Sequence, residues 1–252
     1  MSAVLILNYH RVIEDHLWDK TADKTKFCVK RSAFINQLDF IQRREIPVVS
    51  FSDWLNNRIK DTFSVILTFD DGNRSDYEIV LPILKDRGLA ASFFPVISFI
   101  GEENRTSWEQ LKEMEALNFE IGSHGVSHEN MSEMAAGAGE LELELSKKTL
   151  EKKLEKPIII FAAPFGQYNR KTLQMAKNAN FQKVLSTQIK INRGHKAMVL
   201  HRWNLKHTTK IEAFEKMLTK GSRLYYKMSF LSLLKNRFSR LFGLKIDSLL
   251  SK

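Results

Sequence analysis

The chain has 252 residues, 43% of them hydrophobic and 10% aromatic, with a single cysteine, Cys28. That excludes a disulfide-stapled mini-protein and a disordered chain, and the length suits one large α/β domain or two small ones. The net charge of +10 is localised: residues 182–252 hold 16 Lys and Arg against 3 Asp and Glu, on a body that is otherwise mildly acidic, which argues against nucleic acid and for a local anionic contact.

In chain order, an apolar run predicts a strand over 4–9 and an amphipathic stretch predicts a helix over 32–44, with Ser32 as its N-cap. A strand over 65–69 follows, then a helix over 76–87 that Asp76 and Tyr77 begin and that ends at Gly88. A strand over 92–96 leads to a helix over 107–117, in which Trp108 reads as a packing residue rather than a sugar platform. Strands over 119–121, 158–162 and 183–186 alternate with helices over 131–156 and 170–178. Buried strands separated by helices predict an α/β fold with a parallel sheet closed into a (β/α) barrel.

Near residue 219 the texture changes, which divides the chain into a main domain over 1–218, the one that holds the motifs below, and a basic tail over 219–252. Leu224, Met228, Leu231, Leu234, Phe238 and Leu241 recur at spacings of three or four, the pattern of a basic amphipathic helix. A terminal helix packed on the barrel is the first reading, and peripheral contact with an anionic membrane is the second. The first apolar run is too short for an export signal and no stretch is long enough to span a membrane. A cytoplasmic address is therefore expected, at the inner face of the membrane if the tail engages lipid.

Two segments carry chemistry. In Leu67-Thr68-Phe69-Asp70-Asp71-Gly72 an apolar strand ends in two carboxylates and a glycine, so both acids sit at the strand's C-terminal mouth, where barrel active sites are built. One acid there can bind a cation while the other acts as a base. In Ile121-Gly122-Ser123-His124-Gly125-Val126-Ser127-His128 two histidines four apart follow a strand. With a carboxylate they make a His/His/Asp set with open positions, suited to a catalytic metal.

Thr-Phe-Asp-Asp-Gly followed about fifty residues later by Ser-His-x-x-x-His resembles the polysaccharide deacetylase family, carbohydrate esterase family 4, metal-dependent N-deacetylases on a distorted barrel. That resemblance implies that Asp71, His124 and His128 bind the metal, usually Zn2+, and that Asp70 is the general base. The family's Arg-x-Pro-Tyr-Gly segment appears as Ala162-Ala163-Pro164-Phe165-Gly166, without its arginine and with phenylalanine for tyrosine. Pro164, Phe165 and Gly166 keep the turn, whose Phe165 amide still offers a donor to an oxyanion.

The opening Tyr9-His10 is similar to the start of the subgroup that includes poly-N-acetylglucosamine deacetylases, which implies that His10 takes the acid role. His201, in Val199-Leu200-His201-Arg202, is the second candidate for that role. Arg202 is expected to stand in for the missing arginine and hold Asp70 ionised. The implied reaction removes an N-acetyl group from an amino sugar of a polysaccharide or of its nucleotide- or lipid-linked precursor. The alternatives are a non-catalytic glycan-binding barrel and a metal-dependent phosphoesterase.

Overall fold

The computed structural model describes residues 2–21, 24–59 and 62–223. The amphipathic pattern over 224–246 lies outside them. Ten strands are described: β1 (Ala3–Tyr9), β2 (Val12–Ile13), β3 (Val29–Lys30), β4 (Phe63–Asp71), β5 (Ser92–Pro95), β6 (Glu120–Ile121), β7 (Ile160–Ala162), β8 (Lys183–Ser186), β9 (Asn192–Arg193) and β10 (Val199–Asn204). Between them run α1 (Arg31–Arg43), α2 (Phe51–Leu55), α3 (Leu81–Asp86), α4 (Trp108–Ala116), α5 (Ala136–Leu154) and α6 (Arg170–Asn178). Residues 211–223 are also helical and cross position 219 without a break.

The main sheet has the order β6-β5-β4-β1-β10-β8-β7, with every one of these neighbours parallel and β9 antiparallel on β1. It curls into a barrel that is closed at one end only. At the C-terminal end of the strands, the Ser123 amide donates to Ile160 O (3.0 Å) and Ser123 O accepts from the Ala162 amide (2.8 Å), joining the two edges. Gly122 permits that approach: a Cβ there would lie 2.2 Å from the Phe94 ring and 3.0 Å from Ile160 O.

Alternation along the strands builds two cores. Leu5, Leu7 and Tyr9 of β1 and Val65, Leu67 and Phe69 of β4 face the helices, against Phe34, Leu38 and Ile41 of α1. Val4, Ile6, Ile66, Phe94, Ile160 and Leu200 fill the barrel interior. Each fully buried side chain of this kind contributes about 1.5–3 kcal/mol.

Several boundaries differ from expectation for physical reasons. Ser32 does not cap α1; it lies inside the helix, and its amide and hydroxyl both donate to the Asp15 carboxylate. The stretch 76–87 is not one α-helix: Asp76–Val80 forms a π-helical turn and α3 starts at Leu81, because Pro82 has no amide hydrogen to continue the ladder. Ser107 caps α4 with a full capping box through Gln110, and Trp108 packs half-buried against the outer core. Sequence reasoning missed β10 as a strand, because His201, Arg202 and Asn204 interrupt its apolar run.

Candidate active site

The alternation that fills the interior with apolar side chains changes character near the C-terminal ends of the strands. Asn8 of β1 pairs in register with Thr68 of β4, and both face inward with Asp70 and Arg202. Arg202 is fully buried and grips Asp70 with two hydrogen bonds, Nη1 to Oδ1 at 2.7 Å and Nη2 to Oδ2 at 2.8 Å. Asn8 completes the group: its Nδ2 donates to Asp70 Oδ2 (2.9 Å), and its Oδ1 accepts from Arg202 Nη1 (2.9 Å) and Thr68 Oγ1 (2.8 Å). Burial pushes the Asp70 carboxyl up, but the charge of Arg202, followed by that of His124, outweighs it and holds the group below the usual carboxylate range. Arg202, expected to stand in for the arginine absent at position 162, thus reaches Asp70 from β10.

Asp71 ends β4 in the left-handed region, at φ 76°. Its Oδ1 lies 3.4 Å from Nε2 of His124 and 3.4 Å from Nε2 of His128. One ligand atom from each of the three residues falls within 4.8 Å of the others. His124 is buried, and its Nδ1 is 2.7 Å from Ala162 O; a proton on Nδ1 leaves the Nε2 lone pair directed at Asp71. Buried Asp71 Oδ1 has no hydrogen-bond partner among the described residues. A buried orphan oxygen beside two imidazole nitrogens is a donor set that suits a divalent cation. Burial would raise Asp71, yet His124 and His128 draw it far down, while Asp70 and Asp71 overcome burial to raise His124.

The loop between the two histidines is held from α5. Glu142 accepts from the Val126 amide (2.7 Å), the Ser127 amide (3.1 Å) and the Ser127 hydroxyl (2.7 Å). Sequence reasoning missed this residue, whose only signal is a carboxylate on an otherwise ordinary charged helix.

Asp70, Asp71, His124 and His128 open into a cavity of about 640 Å³. His10 lines it, stacked on Phe27 at 4.7 Å with its buried Nδ1 unpartnered among the described residues. Burial lowers the His10 imidazole despite the pull of Asp70 and Asp71. Phe165 and Gly166 line the cavity as well. Phe165 takes φ 59°, is 59% exposed, and meets the His128 ring at 4.8 Å. Gly166 follows at φ 70°, where a Cβ would sit 2.1 Å from Thr187 Oγ1, so only glycine fits.

His201 is not part of this constellation. It precedes Arg202 on β10, so alternation turns it to the outer face, where its Nδ1 pairs with Ser186 Oγ at 2.8 Å. The expected second candidate for the acid is therefore corrected: of the two histidines, the structure brings only His10 to the cavity. Asp76 is a further carboxylate that sequence reasoning assigned only to a helix start. It is buried, neither oxygen has a hydrogen-bond partner among the described residues, and burial together with the charge of Asp71 raises it well above the usual carboxylate range.

The family model for polysaccharide deacetylase matches residues 57–184, which includes both metal-ligand segments. The chain is similar to the Bacillus subtilis protein named putative polysaccharide deacetylase YxkH, at 31% identity over 49% of this chain and 44% of that one. It thus spans under half the length of that relative. It is also similar to a poly-beta-1,6-N-acetyl-D-glucosamine N-deacetylase of Staphylococcus aureus, at 28% identity over 72% of this chain and 71% of that one. The fold is shared with the Streptococcus pyogenes deacetylase PplD, at a TM-score of 0.76 and 24% identity, covering 86% of this chain and 98% of that one. With a family model matched across half its length and the fold in agreement, the chain belongs to the polysaccharide deacetylase family.

Proposed function

We propose that the protein is a metal-dependent hydrolase that removes the acetyl group from an N-acetylated amino sugar, in a glycan polymer or in its nucleotide- or lipid-linked precursor. The observation that carries this reading is the convergence of Asp71, His124 and His128 beside an Asp70 locked to Arg202, at the floor of one cavity. Asp71, His124 and His128 would hold a divalent cation, which would supply Lewis acidity to polarise a carbonyl and to lower the pKa of water towards neutral. Zn2+ suits two imidazoles and one carboxylate.

The protein's own groups do the rest. Asp70 stays ionised because Arg202 faces both of its oxygens, and it takes the proton of the attacking water. The same pairing makes Asp70 a weak base, so its task depends on an acidic water. The Phe165 amide, in a turn whose main chain borders the cavity, donates to the oxyanion of the tetrahedral adduct. The proton that Asp70 took is returned to the leaving nitrogen, with His10 at the cavity as its relay. Acetate and a free amino sugar result.

The test is acetate release from N-acetylhexosamine oligomers and from nucleotide-linked N-acetyl sugars, with and without chelator. Release that the chelator abolishes supports the reading. His10→Gln is expected to lower kcat about 100-fold or more, and His201→Gln to leave it within twofold. No acetate from any N-acetyl sugar, together with phosphate release from a phosphoester, would overturn it.

A further inference from the structure

The segment over residues 97–106 connects the two turns that carry the metal ligands. At its start, the amides of Ile97 and Ser98 donate to Gly125 O (3.1 Å) and Val126 O (3.0 Å), inside the loop between His124 and His128. At its end, Asn104 O accepts from the Arg74 amide (2.9 Å) and the Thr106 amide donates to Gly72 O (2.9 Å), directly after Asp71. One side-chain cross-link spans this segment. The Arg105 guanidinium lies 4.4 Å over the Phe99 ring, while its Nη1 donates to Asp71 O (3.2 Å) and Asn73 Oδ1 (3.3 Å). Phe99 in turn meets the His128 ring, with centroids 5.9 Å apart at 39°.

Asp71 and His128 are the two ligands whose backbones are left-handed, at φ 76° and φ 61°. A non-glycine residue there is strained and persists only where its surroundings enforce it. His124 needs no such support, since it is buried and fixed through Ala162 O. We propose that Arg105, stacked on Phe99, is a positioning residue that braces Asp71 and His128 at the spacing a divalent cation requires. The proposal rests on the reading of Asp71, His124 and His128 as metal ligands. A planar guanidinium suits the task because it can stack on a ring and donate in its own plane at once, which an ammonium cannot do.

The experiment measures Zn2+ affinity of the full chain by competition with a chromophoric chelator, and the melting temperature of the metal-stripped protein. It compares wild type with Arg105→Ala, Arg105→Lys, Phe99→Leu and Asp71→Asn. Arg105→Ala and Phe99→Leu are expected to weaken zinc binding about 10- to 100-fold, with Arg105→Lys between them and wild type. The metal-free melting of Arg105→Lys should match wild type; if Arg105→Ala melts early, Arg105→Lys and Phe99→Leu decide. Wild-type zinc affinity in both of those variants, with Asp71→Asn unable to bind, would overturn the brace and leave the metal site standing. Equal zinc binding by wild type and Asp71→Asn would overturn the metal site, and the brace with it.

Discussion

The two ends of the barrel hold cavities of similar size, about 640 Å³ at the C-terminal mouth and about 550 Å³ at the opposite end. Each contains a carboxylate anchored in the sheet, yet the two are built for different purposes. At the N-terminal end Glu120 uses both oxygens structurally. Oε2 accepts from the Phe51 amide (3.0 Å) and the Ser92 hydroxyl (2.6 Å), and Oε1 accepts from the Ser52 amide (2.7 Å), so it caps α2. At the mouth, Asp71 Oδ1, His10 Nδ1 and both oxygens of Asp76 are buried without hydrogen bonds among the described residues. Three non-glycine residues there, Asp71, His128 and Phe165, are left-handed. Neither cavity volume nor left-handed backbone distinguishes the ends, since Asn118 at φ 66° lines the N-terminal cavity; the unpartnered buried atoms of ionisable side chains do, and they gather where a ligand is to complete the site.

Removing the interaction that organises the mouth should have the largest effect. Arg202→Met leaves Asp70 buried and unpaired, with an expected loss of about 3–5 kcal/mol in unfolding free energy and of nearly all turnover. Denaturant melts and acetate release measure the two. Adding Asp70→Asn should restore stability without restoring activity, and recovery of both would remove Asp70 from the chemistry. At the other end, Glu120→Gln should cost about 1–2 kcal/mol of stability through the weakened cap, with kcat/KM unchanged. A drop in kcat/KM at unchanged metal content would break the contrast between the ends.

The smallest expected effect has the opposite sign. Because Asp76 is raised in the folded protein, folding favours its protonated form. Its contribution therefore falls as pH climbs above the unfolded carboxyl pKa towards the raised folded value. Asp76→Asn should raise the melting temperature at neutral pH by a few degrees, corresponding to about 1 kcal/mol. The gain should vanish below about pH 3.8, where the unfolded carboxyl is also protonated. A gain independent of pH would show that packing, not charge, is responsible.

Much of the fold was legible because hydrophobic period is a local property. The strand over 183–186 and the helix over 170–178 fall at the expected residues. The π-helical turn at Asp76–Val80 and the displacement of Ser32 from its capping role were not legible, since one depends on how Pro82 meets the preceding turn and the other on Asp15 reaching across from elsewhere. The same division runs through the site. The residue types in Asp70-Asp71-Gly72 and Ser123-His124…His128 mark a candidate metal centre, because ligand chemistry and turn geometry are written in short segments.

Long-range register settled the remainder. Asn8 looks like a flaw in an apolar strand until its pairing with Thr68 places it between Asp70 and Arg202. His10 and His201 are equivalent as residue types, and a one-residue alternation on β10 sends Arg202 to the interior and His201 outward. Arg105, Phe99 and Glu142 carry no motif, and their roles exist only because the segment over 97–106 and the helix α5 pack against the ligand turns. Composition and periodicity dictate which residues are buried and which segments can hold a cation. Which side chain meets which depends on strand register and on packing between elements distant in sequence, and neither is a local property of the chain.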